Sequence, residues 1–252
     1  MTELGRGDRF KLAARQRIPT TYEAVWRTQR KFAYRGTAVC CPICDRTFGR
    51  WEVPEGEAWR HICPLCHAEA RHRSLWLWLP TTDLLARRHS LLHFAPEWLI
   101  QAKLRALPNL DYISADLTSP LADRTVDITE IPFADNSFDI IFCSHVLHYI
   151  PDDRRAMSEL YRVLRPGGWA LLLVPYRADR DTDEDPSAPP EERLIRFGAE
   201  EHLRSYGKDY LDRLRAAGFD VENERINDRF DPSIVRYFGL YADEAWIIGR
   251  KR

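Results

Sequence analysis

The chain has 252 residues, 44% of them apolar, which suffices for one sizeable core with a small appendage, and no apolar run reaches the length needed to span a membrane. A formal charge of -1 at pH 7 removes any overall pull toward nucleic acid or an anionic membrane surface. The first residues lack the apolar stretch of a signal peptide, so a cytoplasmic protein without a membrane partner is expected.

Residues 1–39 read as a basic helical segment. Arg6, Arg9, Lys11, Arg15, Arg17, Arg27, Arg30, Lys31 and Arg35 outweigh Glu3, Asp8 and Glu23. A solvated helix lying on the body accounts for this balance, with polyanion binding as the alternative. Residues 40–70 hold five of the six cysteines. In a reducing compartment such clustering favours a metal over disulfides. Cys41-Pro42-Ile43-Cys44 and Cys63-Pro64-Leu65-Cys66 are matching knuckles, each able to direct two thiolates at one tetrahedral ion. Cys40, His61 and His67 are neighbours able to replace a ligand, but only Cys41 repeats the spacing of the second pair. Four thiolates leave no open position for water, so the expected Zn2+ is structural. The loop with Phe48, Trp51 and Trp59 has too little apolar mass to fold alone, and metal binding should be coupled to its folding.

Glu69 to Leu79 reads as a helix, with Arg71, His72 and Arg73 at the junction expected to form interdomain salt bridges rather than to bind substrate. Ser90 to Phe94 reads as the first strand of a sheet, with Pro96 as the first residue of a helix ending near Leu107. Asp111 to Asp116 gives the second strand, with an acid at its carboxyl end able to accept bonds from both hydroxyls of a ribose. Val126-Asp127-Ile128-Thr129 closes a third. The run Phe138 to Cys143 has the composition of a strand buried on both faces. Asp152 and Asp153 then suit an N-cap and first turn, Ala156, Leu160, Val163 and Leu164 recur on one helical face, and Pro166-Gly167-Gly168 stops that helix before a strand from Trp169 to Val174.

Strand, helix and strand of this kind form a right-handed crossover in a parallel sheet, where ligands bind at the carboxyl ends of the strands. Cys143, Ser144 and His145 therefore fall at the crevice, with the loop through His148 and Tyr149. Tyr176 to Arg196 is rich in Asp, Arg and Pro and is expected to be a flexible insertion over 177–196. Asp209 to Ala217 reads as a helix ended by Gly218, and Val221 to Ile226 with Glu244 to Gly249 as an antiparallel pair closing the sheet.

The stretch from Ile131-Pro132-Phe133-Ala134-Asp135 through Arg165-Pro166-Gly167-Gly168 resembles the second half of the S-adenosylmethionine site in class I methyltransferases, particularly the type 11 group. His93-Phe94-Ala95-Pro96-Glu97, preceded by a cysteine ribbon and Arg71-His72-Arg73, is similar to a subgroup in which the turn after the first strand is poor in glycine. Phe197 to Gly207 resembles that family's Phe-Gly-x-x-x-His-x-Arg-x-Tyr-Gly segment. The resemblance implies an α/β, Rossmann-like seven-stranded sheet over 71–252 and S-adenosyl-L-methionine as cofactor. It places Phe94, Ala95, Pro96 and Glu97 at the methionine end, Asp116 and Leu117 at the ribose, Asp127 and Ile128 at the adenine, and Ser144 and His145 along the crevice. Most of the family carries Gly-x-Gly-x-Gly where Phe94 to Glu97 stand here, and an acid followed by histidine where His148 and Tyr149 stand.

Methyl transfer from a sulfonium needs two oriented reactants and, for some acceptors, a proton acceptor. His145, His148 and Tyr149 overhang the crevice as candidates, and His202, Arg204 and Tyr206 add polar groups at the rim. Arg204 would clamp a carboxylate or phosphate, or the three would pin the insertion to the body. The expected activity is in-line methyl transfer to O or N of a small molecule or sugar-containing metabolite. A structured-RNA methyltransferase docking through the ribbon and a non-catalytic scaffold are the alternatives. The residues leave the oligomeric state open.

Overall fold

The computed structural model describes residues 20–57 and 60–252, so Arg6 to Arg17 of the basic segment and Trp59 of the ribbon lie outside the described residues. The chain divides into two units, residues 1–73 with 236–240, and residues 74–235 with 241–252. The division falls after Arg73 rather than at residue 70, and a short stretch near the C-terminus joins the first unit. Among the described residues no helix is long and apolar enough to cross a membrane.

The first unit starts with helix α1 (Thr20–Ala33) and a hairpin of β1 (Val39–Cys41) and β2 (Arg46–Phe48). Gly49 N donates to Tyr34 O at 2.8 Å, and Gly36 and Gly49 touch backbone to backbone. A Cβ at either would strike the other segment, so glycine is required at this crossing. Arg73 is fully buried. Its guanidinium donates to the carbonyls of Phe238 (2.6 Å), Ala68 (2.6 Å), His61 (2.9 Å) and Gly239 (2.7 Å), and lies 4.1 Å from the Trp51 ring centroid. Arg71 pairs with Glu69, and His72 Nδ1 accepts from Glu69 N at 2.9 Å.

The second unit is built on seven strands: β3 (His89–Phe94), β4 (Leu110–Asp116), β5 (Arg124–Thr125), β6 (Phe138–Ser144), β7 (Leu164–Leu173), β11 (Asp220–Arg225) and β12 (Ala245–Arg250). Their spatial order is β11-β12-β7-β6-β3-β4-β5. The strands β3 to β7 are mutually parallel, and β12 runs antiparallel to both β7 and β11. This is the seven-stranded sheet expected from the sequence, its last hairpin included. Leu91, Leu92, Ile140, Ile141, Phe142, Ala170, Leu171, Leu172, Trp246 and Ile247 are all buried, as strands covered on both faces require.

Helix α3 (Trp98–Arg105) connects β3 to β4, and α4 (Asp153–Val163) connects β6 to β7; helix α2 (Ala70–Trp78) precedes the sheet. Asp152 caps α4 by accepting from Arg155 N at 3.0 Å, as its position predicts. Two boundaries differ from expectation. Glu97 is the N-cap of α3, which places Pro96 before the helix rather than at its first position. β7 begins at Leu164 directly after α4, because Phe138 pairs with Leu164 and a register shift before Ile140 absorbs Pro166-Gly167-Gly168 as an irregularity within the strand. Gly167 has φ +80°, and a Cβ on Gly168 would meet the Asp139 carbonyl.

The segment 177–196, expected to be a flexible insertion, carries secondary structure. β8 (Tyr176–Arg177) and β9 (Asp183–Glu184) flank β10 (Arg204–Gly207) in a small sheet, followed in the chain after β9 by helix α5 (Pro190–Phe197). Its many charges are used internally. Arg196 pairs with Asp183 (2.6 Å) and Glu192 (2.7 Å), and Glu184 pairs with Arg204 (3.0 Å) and Arg213 (2.9 Å). Arg213 lies on α6 (Tyr210–Ala216).

Candidate active site and cysteine cluster

The register aligns the carboxyl tips of five strands at one edge. Phe94 pairs with Ala115 and Cys143, Asp116 with Thr125, and Ser144 with Leu173. Beyond the ladders the backbone is tied by Ala95 N to Ala115 O (2.9 Å), Val126 N to Asp116 O (3.0 Å) and His145 N to Leu173 O (2.8 Å). Two residues at this edge hold left-handed backbone, Ala95 at φ +46° and His145 at φ +55°. Ala95 therefore takes the conformation for which glycine is the usual choice, with the smallest side chain that has a Cβ. Phe94 and Ile128 are buried walls, Pro96, Glu97 and Ser144 are half-buried, and Leu117 stands exposed beside Asp116.

Asp116 uses only one carboxylate oxygen locally. Oδ1 accepts from Thr118 N (2.8 Å) and Ser119 N (2.7 Å), which orients the carboxylate, and Oδ2 has no partner among the described residues. Asp127 repeats the device, with Oδ1 accepting from Thr129 N (2.8 Å) and Thr129 Oγ1 (2.7 Å). The Thr129 amide holds the Asp127 carboxyl below its ordinary range, so it is ionised at neutral pH. Two fixed carboxylates, each with an oxygen to spare at neighbouring strand tips, suit a ligand with several hydroxyl or amino donors.

The loop after β6 gathers aromatic and imidazole rings. His148 lies 4.3 Å from Tyr149, 4.4 Å from His202 and 6.0 Å from His145, centroid to centroid. It is buried, its Nδ1 has no partner among the described residues, and burial, reinforced by His202, His145 and Arg204, lowers its pKa to about 2. His148 is thus a neutral ring packed behind the rim. His202 and Tyr149 are more accessible and are joined by a 3.2 Å hydrogen bond between Nε2 and the phenol oxygen. Cys143 sits wholly inside β6, where burial pushes its thiol up and leaves no nucleophile.

Arg204 and Tyr206 do not reach the rim. Arg204 is buried, and its guanidinium donates to the carbonyls of Leu147 (3.0 Å), Ile150 (2.5 Å) and Pro151 (3.0 Å) and to Glu184. Tyr206 is sealed and donates to Asp153 Oδ2 at 2.6 Å. Both pin the insertion and the loop that carries His148 and Tyr149, which corrects the expectation of an anion clamp. Asp153, Glu184 and Arg213 complete this buried network. Sequence reading missed their joint role, because a first-turn acid such as Asp153 carries no sign of burial.

In the first unit the sulfurs of Cys41, Cys44, Cys63 and Cys66 lie within 4.8 Å of one another, the one such His, Cys or acidic group among the described residues. Cys41 Sγ is 3.7 Å from Cys66 Sγ, and Cys44 Sγ is 3.8 Å from Cys63 Sγ. Four sulfurs bound tetrahedrally at about 2.3 Å from a zinc ion stand roughly 3.8 Å apart, so the donor set fits that ion. The knuckles are alike in backbone too: Asp45 (φ +53°) and His67 (φ +60°), each directly after a second cysteine, turn left-handed. Cys40, His61 and His67 are not in the cluster; His67 stacks on Trp26.

Residues 81–172 match the sequence profile of the family described as "Methyltransferase domain". The chain is 33% identical over 116 residues to a "Probable methyltransferase ltbC" of Aspergillus luteorubrus, covering 45% of this chain and 35% of that protein. It is 30% identical over 133 residues to the "27-O-demethylrifamycin SV methyltransferase" of Amycolatopsis mediterranei, covering 47% and 43%. The chain thus spans less than half the length of these relatives. Among solved structures, the YcgJ protein of Bacillus subtilis superposes with a TM-score of 0.49 at 19% identity, over 72% of this chain and 99% of that one. Six parallel strands with one reversed neighbour form the sheet, and the match to the methyltransferase domain profile over residues 81–172 lies across its first crossovers.

Proposed function

We propose that the protein is an S-adenosylmethionine-dependent methyltransferase acting on a small molecule, with a structural zinc in its first unit. The observation that carries the reading is Asp116, fixed through Oδ1 at the tip of β4, with no partner for Oδ2 among the described residues. Asp116 would accept from the ribose hydroxyls, Asp127 from the adenine amine, and Ile128 and Phe94 would supply apolar walls. The left-handed turn at Ala95 lets backbone approach the methionine end without a glycine. When bound, the cofactor supplies an activated methyl group, and the chain's own work is to orient an acceptor and exclude water.

The test is thermal unfolding with S-adenosylmethionine or S-adenosylhomocysteine. A ligand held only by the native state at about 100 times its Kd adds about 2.7 kcal/mol and must raise Tm. The Asp116→Ala variant is expected to lose that shift while folding normally; a retained shift refutes the ribose assignment. The six free cysteines fit a reducing compartment, and we place the protein in the cytoplasm on that ground.

Docking of structured RNA is a second reading favoured by one feature of the first unit. Arg30 and Arg50 both lie over the Tyr34 ring, at 4.9 and 5.2 Å from its centroid, and exposed Lys31 and Arg35 are close in the chain. Salt-sensitive binding of a structured RNA would support it, and indifference to RNA at low salt would remove it.

A further inference from the structure

We infer that the second unit carries another ligand site, a cleft over β11, β12 and β7 away from the carboxyl tips, and that it takes a neutral sugar ring.

The register brings the parts of this cleft together. Arg250 pairs with Trp169 and Ile248 with Leu171, while Glu222 pairs with Ile248 and Glu224 with Trp246. Residues opposite one another in an antiparallel ladder share a face, and alternation keeps Trp169, Ile248, Arg250, Glu222 and Glu224 on the same one. Trp169 pairs with Ile140 near the start of β6, so the cleft lies toward the amino ends of the parallel strands, whereas Phe94, Asp116 and Ser144 end theirs. Two short turns, Leu79–Thr81 and Asp83–Leu85, add Thr81 and Asp83 to the lining, and helix α7 (Ile226–Arg229) adds Arg229. The volume is about 280 Å³, just under the range of sites for drug-sized ligands and therefore suited to one small ring.

The floor is apolar and nearly closed: Trp78, Trp169 and Ile248 are 1%, 4% and 3% exposed. Trp78 meets Trp169 edge to face, with ring centroids 5.5 Å apart. Trp169 Nε1 donates to Asp83 Oδ1 at 3.1 Å. Trp78 also lines the cleft, and its Nε1 is a buried donor with no partner among the described residues. A buried donor left unmet is costly and calls for an acceptor.

The charges of the rim are already matched. Asp83 pairs with Arg87 (2.9 Å), Glu222 with Arg250 (2.5 Å) and Glu224 with Arg229 (3.1 Å), and Arg229 Nη2 donates to Thr81 Oγ1 at 3.0 Å. An ionic ligand would have to break one of these pairs; a neutral one would not. Hydrogen-bonding capacity of both kinds is nevertheless left over. Among the described residues no hydrogen bond reaches Arg229 Nη1, Arg250 Nη1 or Glu224 Oε2. Adjacent hydroxyls of a sugar ring each donate and accept, so they can use carboxylate and guanidinium together while the C–H face of the ring meets the indoles.

The test is NMR of the full chain carrying nitrogen-labelled tryptophan, titrated with glucose, galactose and mannose to about 100 mM, a hundredfold above a Kd of about 1 mM. The Trp78 Nε1–H resonance, assigned by its loss in Trp78→Phe, should move and saturate with at least one of the three. Glu224→Gln and Arg229→Gln should each weaken that sugar about tenfold, the worth of one hydrogen bond to a charged group, and leave a thermal shift with S-adenosylhomocysteine intact. Thermal unfolding gives a readout that needs no Trp78 variant: the same sugar should raise Tm more in wild type than in Glu224→Gln, a difference from which the general solvent effect of sugars cancels. No movement with any of the sugars, movement that never saturates, or equal binding by both Gln variants overturns the site. Movement with sodium sulfate or glycine but with no sugar overturns the ligand class and makes the cleft an ion site. Absence of a thermal shift with S-adenosylhomocysteine bears on the cofactor crevice alone.

Discussion

At the scale of single residues, the site rests on side chains and backbone angles that cost stability. Ala95 at φ +46° pays for a left-handed turn that glycine would adopt freely. Ala95→Gly should therefore raise stability by about 0.5–1 kcal/mol, and Ala95→Val should lower it by more than that, measured as the shift in urea midpoint. His148 gives a pH dependence whose sign is fixed. Its folded pKa, about 2, lies below the ordinary value near 6.5, so only the unfolded chain takes up the proton as pH falls. Its contribution is complete above pH 6.5 and is lost on acidification, at a limiting slope of about 1.4 kcal/mol per pH unit. His148→Phe should flatten that limb of the stability curve between pH 6 and 4; an unchanged slope would mean that the ring is charged in the fold. The place of Asp116 at the end of β4 was legible in the sequence, because the apolar run before it sets the strand. Arg204 was not, since a rim clamp and a buried brace look identical when the only information is residue type.

At the scale of elements, the insertion between β7 and α6 shows how a composition rich in charge misleads. Asp183, Glu184 and Asp185 with Arg196 read as a solvated run, yet they close on one another and on Arg204 and Arg213. The Arg213 guanidinium holds the Glu184 carboxyl below its usual range, so this contribution is present above the ordinary carboxylate pKa and fades as pH falls through the lowered one. Arg204→Met keeps much of the stem volume but removes the donor of three carbonyls, while Glu184 keeps its pair with Arg213. It should cost about 1–3 kcal/mol in urea unfolding, the cost of leaving a buried acceptor unsatisfied, and open the 177–196 segment to limited proteolysis. The strands were easier to see. Their apolar runs and the Asp152 cap follow from local physics, whereas the start of β7 depended on a register shift that only pairing with β6 reveals.

At the scale of the whole molecule, two units of different construction share one chain. The second has a large apolar core; the first relies on the cysteine cluster and on Arg73. Elemental analysis should give about one zinc per chain, lost in the Cys41→Ser, Cys63→Ser double variant, because metal binding and folding are coupled in such sites. Calorimetry before and after chelation should show the first unit's transition disappear while S-adenosylhomocysteine still shifts the second. Iron, or no metal in reduced protein, would remove the zinc assignment. The spacing of the knuckles announced this cluster, but nothing in the sequence announced that residues 236–240 belong with it.

Arg73 and Phe238 are 165 residues apart, yet the carbonyl of one completes the guanidinium shell of the other. During synthesis at about 5–20 residues per second, the cysteines leave the ribosome on the order of ten seconds before the segment that finishes their unit. The early-emerging ribbon must wait, half-assembled and thiol-bearing, for a segment 165 residues further on, so prompt capture of a metal ion would safeguard the nascent chain.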